Sequence, residues 1–128
     1  MKIIFVCKHN RFRSQLAEGF FKKYNKNKKI KVSSGGIFQG IPIAKNVKKV
    51  AKEFGIKLTK PSGIRERDLL KIDKIVVVAN DLPLSLFKPR FQNVIGWKIS
   101  DTSQYNLKSI QKIAREIEIK VKELVKTL

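Results

Sequence analysis

Two hydrophobic periods run along this chain. Residues 3–6, Ile3-Ile4-Phe5-Val6, and residues 75–79, Ile75-Val76-Val77-Val78-Ala79, are apolar without a break. Short continuous runs rich in β-branched residues predict strands covered on both faces, as in the middle of a parallel sheet. Lys29-Ile30-Lys31-Val32 alternates as an edge strand does, and Ser33-Ser34-Gly35-Gly36 reads as the turn that closes it. Val94-Ile95-Gly96-Trp97 completes a set of four strands.

The segments between have a helical period. Residues 15–24 place Leu16, Ala17, Phe20, Phe21 and Tyr24 on one side. Ile43, Val47, Val50, Ala51 and Phe54 repeat at three and four, and Gly55 supplies a left-handed stop. Residues 65–70 predict a short helix, and Pro83 and Pro89 leave room for no more than another short one between them. Leu107, Ile110, Ala114, Ile117, Val121, Leu124 and Leu128 form a final heptad-spaced helix, which suits either a dimer seam or a cover for the sheet. In an α/β chain the cover is the expected use. The fold expected is a three-layer sandwich, one domain over residues 1–128, with a four-stranded parallel sheet flanked by helices. Ligands of such sheets bind beyond the C-terminal strand ends, where Cys7, Gly35, Asn80 and Asp101 gather.

Chemistry concentrates at the end of the first strand. Cys7 enters a short polar loop that ends in Arg13-Ser14 at a helix start, giving Cys-x5-Arg-Ser. Backbone N–H groups at such a junction, with the helix dipole behind them, suit a tetrahedral oxyanion and a thiolate alike. An arginine fork binds two oxygens of the same anion. Cys7 as a mere small core residue would not call for Asn10, Arg13 and Ser14 around it.

The string from Val6 to Glu18, VCKHNRFRSQLAE, resembles the signature of the low-molecular-weight protein tyrosine phosphatases and of the thioredoxin-coupled arsenate reductases that share their flavodoxin-like fold. The resemblance implies that Cys7 attacks phosphorus to give a cysteinyl-phosphate. The backbone N–H groups of Lys8, His9, Asn10, Arg11, Phe12 and Arg13, with the Arg13 side chain, would hold the equatorial oxygens. It assigns Ser14 a hydrogen bond to the sulfur, and Asn10 would hold the loop in a left-handed conformation. Two acids follow strands at the right edge. The resemblance selects Asp101 as general acid, with Thr102 where the family usually has proline. Asp81 is expected to shape the site without moving a proton, so Asp81→Asn should leave rates nearly unchanged. Phe38 and Tyr105 are candidate walls for an aromatic substrate. His9 is similar to the His-Asn of the reductase branch, and Asn80 stands near that branch's second cysteine. With one cysteine in the chain, arsenate reduction would need an external thiol.

The formal charge of +19 combines 29 Lys and Arg with 10 Asp and Glu, and it raises a third reading, a basic non-catalytic module for nucleic acid or acidic partners. The lysines are spread along helix faces and connections, so a solvated surface that attracts anions is the preferred account, with nucleic acid a poor fit. The expected partners are a phosphorylated protein or small aryl phosphate, and oxyanions such as phosphate, sulfate or vanadate. No cofactor, metal or membrane is called for. One cysteine, no long apolar run and an opening strand in place of a leader suggest the cytoplasm.

Overall fold

In the computed structural model, which describes residues 1–128, strand β1 (Lys2–Cys7) is paired on both sides. It runs parallel to β2 (Lys31–Gly36) and to β3 (Lys74–Val78), and β3 runs parallel to β4 (Val94–Trp97). The sheet order is β2-β1-β3-β4. The two unbroken apolar runs are therefore the two inner strands, buried on both faces as their composition required.

Side chains of β1 alternate between two cores. Ile3 and Phe5 face α1 (Arg13–Tyr24), α2 (Lys45–Glu53) and α4 (Leu107–Lys126), joined there by Val76, Val78 and Trp97. Ile4 and Val6 face a thinner layer made of Leu69 from α3 (Glu66–Leu69), Phe87 after the 3-10 turn Leu84–Leu86, and the connecting segments. The sandwich thus has three layers of unequal thickness. In α4, Ile110, Ile113, Ala114, Ile117, Val121 and Leu124 are buried within the chain, so the heptad stripe covers the sheet. Each fully buried Ile or Leu there contributes about 1.5–3 kcal/mol.

One expectation fails in an informative way. Ser33-Ser34-Gly35-Gly36 is the second half of β2, not a turn after it, in register with β1 as Ile4↔Ser33, Phe5↔Ser34, Val6↔Gly35 and Cys7↔Gly36. Turn-type residues stand in a strand because the loop after Cys7 folds back over it. A Cβ on Gly36 would lie 2.7 Å from the Asn10 nitrogen and the His9 carbonyl carbon, so only glycine lets the two backbones approach. Ile37 N–H and Phe38 N–H then donate to the carbonyls of Cys7 and Lys8, tying β2's exit to the loop.

Gly36→Ala is therefore expected to push the loop off the sheet, destabilising the fold by about 1–3 kcal/mol, the range for overpacking. A urea denaturation midpoint equal to the parent's would contradict this close approach.

Candidate active site

Cys7 is the last residue of β1, and α1 starts at Arg13, two residues earlier than the apolar pattern suggests. Its N-cap position is held by Phe12, whose ring is in the core and whose side chain offers no capping bond. A helix usually satisfies its first N–H groups with a Ser, Asp or Asn cap. Here none is supplied, and the eight consecutive backbone N–H groups of residues 8 to 15 donate to no acceptor in the protein. Asn10 turns the loop with φ of 53°, in the left-handed region its side chain tolerates. The result is a run of free donors that starts directly after a buried cysteine and leads into the positive end of a helix.

Such a loop must be held from outside, and side chains do it. The backbone N–H of Ser62 donates to Asn10 Oδ1 at 3.0 Å, which fixes the amide so that Nδ2 donates to Ser14 Oγ (2.7 Å) and Ser34 Oγ (3.0 Å). Thr59 N–H fixes Gln15 in the same way, and Gln15 Nε2 also donates to Asn10 Oδ1. Ser34 passes its proton on to Glu18 Oε1 at 2.5 Å, while Lys22 donates to Glu18 Oε2 at 2.6 Å. Ser14 Oγ stands 2.9 Å from Cys7 Sγ, and the sulfur is the acceptor in reach of its hydroxyl hydrogen. A directed chain thus runs outward from Asn10, to Glu18 through Ser34 and to Cys7 through Ser14.

Arg13 is fully buried and anchored. One of its terminal nitrogens donates to the Ile99 carbonyl at 2.9 Å and the other to both oxygens of Asp81 at 3.0 and 3.2 Å. A guanidinium has five N–H donors, so Nε–H and at least one more remain for an anion. Asp81, which follows β3, thus bonds Arg13 directly. The contact gives amidation of Asp81 a route to the rate through Arg13, which the expectation of nearly unchanged rates did not include.

Asp101 is exposed, and its Oδ1 accepts from the Thr102 N–H at 2.9 Å. Thr102 supplies what a proline would have fixed differently, because its hydroxyl bonds Ser109 Oγ on α4 at 2.8 Å, while Gln104 Nε2 donates to the Thr102 carbonyl. His9 lies over the loop with its ring 5.8 Å from that of Phe38, and its Nδ1 is enclosed without a partner. Burial, then Arg11 and Lys8, with a smaller push from Arg13, hold the imidazole below its usual 6.5 against the opposing pull of Asp101. His9 is therefore neutral at neutral pH. Phe38 is half exposed and belongs to neither core, and its contact with His9 places it beside the loop. Tyr105 is exposed in the segment after Asp101.

Sequence reasoning missed Gln15, Glu18, Ser34 and Ser62, and it missed the bond from Arg13 to Asp81. One signal was available. Gln15 and Glu18 are polar positions on a helix that the structure buries on all sides from Arg13 to Phe21, and buried polar groups need partners.

Loss of the Asp81 carboxylate should loosen Arg13. We expect Asp81→Asn to weaken phosphate or vanadate binding by about tenfold, within the range for a charge-assisted hydrogen bond. Equal affinity for the anion in isothermal titration of the variant and the parent would show that the Ile99 carbonyl alone positions the arginine.

Residues 2–128 match the family model of the low molecular weight phosphotyrosine protein phosphatases. The chain is 32% identical to arsenate reductase 1 of Bacillus cereus, over 98% of this chain and 94% of that protein. Among solved structures it is similar to a low molecular weight protein tyrosine phosphatase of T. tengcongensis, with 25% identity, a TM-score of 0.86, and 100% and 99% of the two chains covered. It is also similar to an arsenate reductase of Archaeoglobus fulgidus, with 28% identity, a TM-score of 0.77, and coverage of 97% and 98%. A parallel α/β sheet whose Cys7 loop keeps its donors free thus has counterparts over its whole length, and the chain belongs to the low molecular weight phosphotyrosine protein phosphatase family.

Proposed function

We propose that this chain is a cysteine-dependent phosphatase acting on aryl phosphate monoesters, phosphotyrosine in proteins among them. The observation that carries the reading is the run of free backbone N–H donors around a buried cysteine sulfur, with an anchored arginine alongside. A dianionic phosphoryl group carries its charge on three oxygens throughout transfer, and fixed donors stabilise it without reorganising.

In the first step the Cys7 thiolate attacks phosphorus, the P–O ester bond breaks, and the leaving oxygen takes a proton from Asp101. In the second, Asp101 takes a proton from water, the water oxygen attacks the cysteinyl-phosphate, and the P–S bond breaks to release inorganic phosphate and the thiolate. Ser14 donates to the sulfur whenever it carries charge, and Asn10 keeps Ser14 in place. Phe38 and Tyr105 flank the aromatic leaving group. A thiolate nucleophile without a partner cysteine is suited to a reducing compartment such as the cytoplasm. No helix is long and apolar enough to cross a membrane.

A second reading, arsenate reduction, is favoured by the 32% identity to arsenate reductase 1. Cys7 is the one cysteine, so a bound arsenate would be reduced with external thiols as the source of the second sulfur and of the relay. Hydrolysis of 4-nitrophenyl phosphate beside arsenate-dependent oxidation of an added thiol separates the two. Thiol oxidation without ester hydrolysis would replace the phosphatase reading.

For the phosphatase, Cys7→Ser should abolish turnover while retaining vanadate or phosphate binding, since a hydroxyl is a far poorer nucleophile at neutral pH. Asp101→Asn should slow hydrolysis by roughly a hundredfold for esters with poor leaving groups and by much less for good ones. Asp81→Asn should instead lower kcat/KM by a similar factor across the leaving-group series, because it acts through Arg13 on groups common to every substrate. A leaving-group-dependent loss at Asp81 and a flat one at Asp101 would exchange the two roles.

A further inference from the structure

Beside the phosphate loop is a cleft of about 590 Å³, of whose lining the reaction above uses only Tyr105 and the backbone of Arg11. Arg11 from the loop and Lys45 at the start of α2 line one part of it, and Thr102, Gln104 and Tyr105 from the segment after Asp101 line another. The walls are joined: Asn46 Nδ2 donates to the Gln104 carbonyl at 3.0 Å, and Thr102 is bonded to Ser109 on α4. The cleft is therefore formed before any ligand arrives.

Its charge is uncompensated. Ion pairs in this protein engage Arg13, Lys22, Arg65 and Arg90, and neither Arg11 nor Lys45 has an acidic partner. No Asp or Glu lines the cleft, and none stands in the first turn of α2. Asp101, one residue before Thr102, is the acid beside it in sequence. In the proposed reaction that carboxyl group faces the leaving oxygen. Two cations held in a concave, partly enclosed site attract an anion more strongly than the same charges spread over a surface. Arg11 also belongs to the loop that follows Cys7, so the cleft borders the residues that would hold a phosphoryl group. The volume exceeds what one phosphoryl group needs and accommodates side chains of a peptide.

We propose that this cleft is a second anion subsite, which selects phosphotyrosine followed or preceded by an acidic side chain, the carboxylate lying between Arg11 and Lys45 and the peptide passing Tyr105. This rests on the phosphatase reading. It gives the strong positive charge a local use and turns a general attraction into a preference between substrates.

Binding can be tested without turnover, in the Cys7→Ser protein, by titration calorimetry with two phosphotyrosine peptides that differ only in having Glu or Gln beside the phosphotyrosine. The Glu peptide should bind about tenfold tighter at moderate salt, and the preference should shrink as salt is raised. In the same background Arg11→Gln and Lys45→Gln should each reduce the ratio of the two affinities by about threefold or more. The ratio cancels any effect of Arg11 on the phosphate loop that both peptides share. Lys126→Gln removes the same charge at the far end of α4, a helix of 20 residues and so ~30 Å long, and should leave the ratio unchanged. Equal affinities for the two peptides, binding of neither, or an equal reduction by all three variants would overturn the subsite. Hydrolysis of the Gln peptide by the unaltered protein reports separately on the phosphatase reading: if that peptide binds and is not cleaved, the reading falls while the affinity ratio still decides the cleft.

Discussion

A loop that reserves its backbone N–H groups for a ligand gives up the bonds that would hold its own shape. In this protein the donors of residues 8 to 15 have no acceptor within the chain, so the shape is imposed by side chains of β2 and α1 and by backbone N–H groups of the segment after α2. The buried polar and charged residues of the chain are Asn10, Arg13, Ser14, Gln15, Glu18 and Ser34, and all but Arg13 are joined in this scaffold. Burying an unpartnered polar group costs roughly 1–3 kcal/mol, so the network is stable only when complete. That condition gives the loop a single conformation.

The direction of the hydrogen bonds follows from two backbone donors. Ser62 N–H orients Asn10, and Thr59 N–H orients Gln15. Once Asn10 presents its amide nitrogen to Ser14 and Ser34, Ser34 donates to Glu18 and the hydroxyl of Ser14 is free to donate to the sulfur when it is a thiolate. A carboxylate on α1 and a thiol at the end of β1 are thereby connected through one asparagine in a left-handed turn. Glycine is the one residue that β2 can place under that turn, which is why Gly36 ends the strand.

Buried charge is handled separately. Arg13 is out of solvent, where an unpaired guanidinium would be strongly unfavourable, and Asp81 with the Ile99 carbonyl offsets that cost while leaving donors free. Asp81 is partly exposed, so the pair is not sealed, and its role is orientation more than stability. His9 avoids the same problem by remaining neutral under the influence of burial and its cationic neighbours. Around these groups the surface excess of lysine is unmatched by acids. Among the concavities that carry it is the cleft lined by Arg11 and Lys45, where no acidic side chain faces them.

By itself the sequence determined the architecture and the identity of the loop. Continuous apolar runs can be satisfied only in the middle of a sheet, heptad spacing needs an apolar surface to cover, and Cys-x5-Arg-Ser at a strand-to-helix junction has one evident use for its donors. Those signals are local, and local patterns survive without knowledge of neighbours. Tertiary structure decided everything that depends on which segments meet. Ser33-Ser34-Gly35-Gly36 has turn composition, yet it is strand, because pairing with β1 and the backbone of His9 and Asn10 overrides residue preference. Asp81 and Asp101 are indistinguishable as acids after strands. Only the family resemblance told them apart, and it is the sheet that brings Asp81 to Arg13, 68 residues away, and leaves Asp101 at the surface. The partners of Asn10 come from positions up to 52 residues distant, and no spacing along the chain encodes such a meeting.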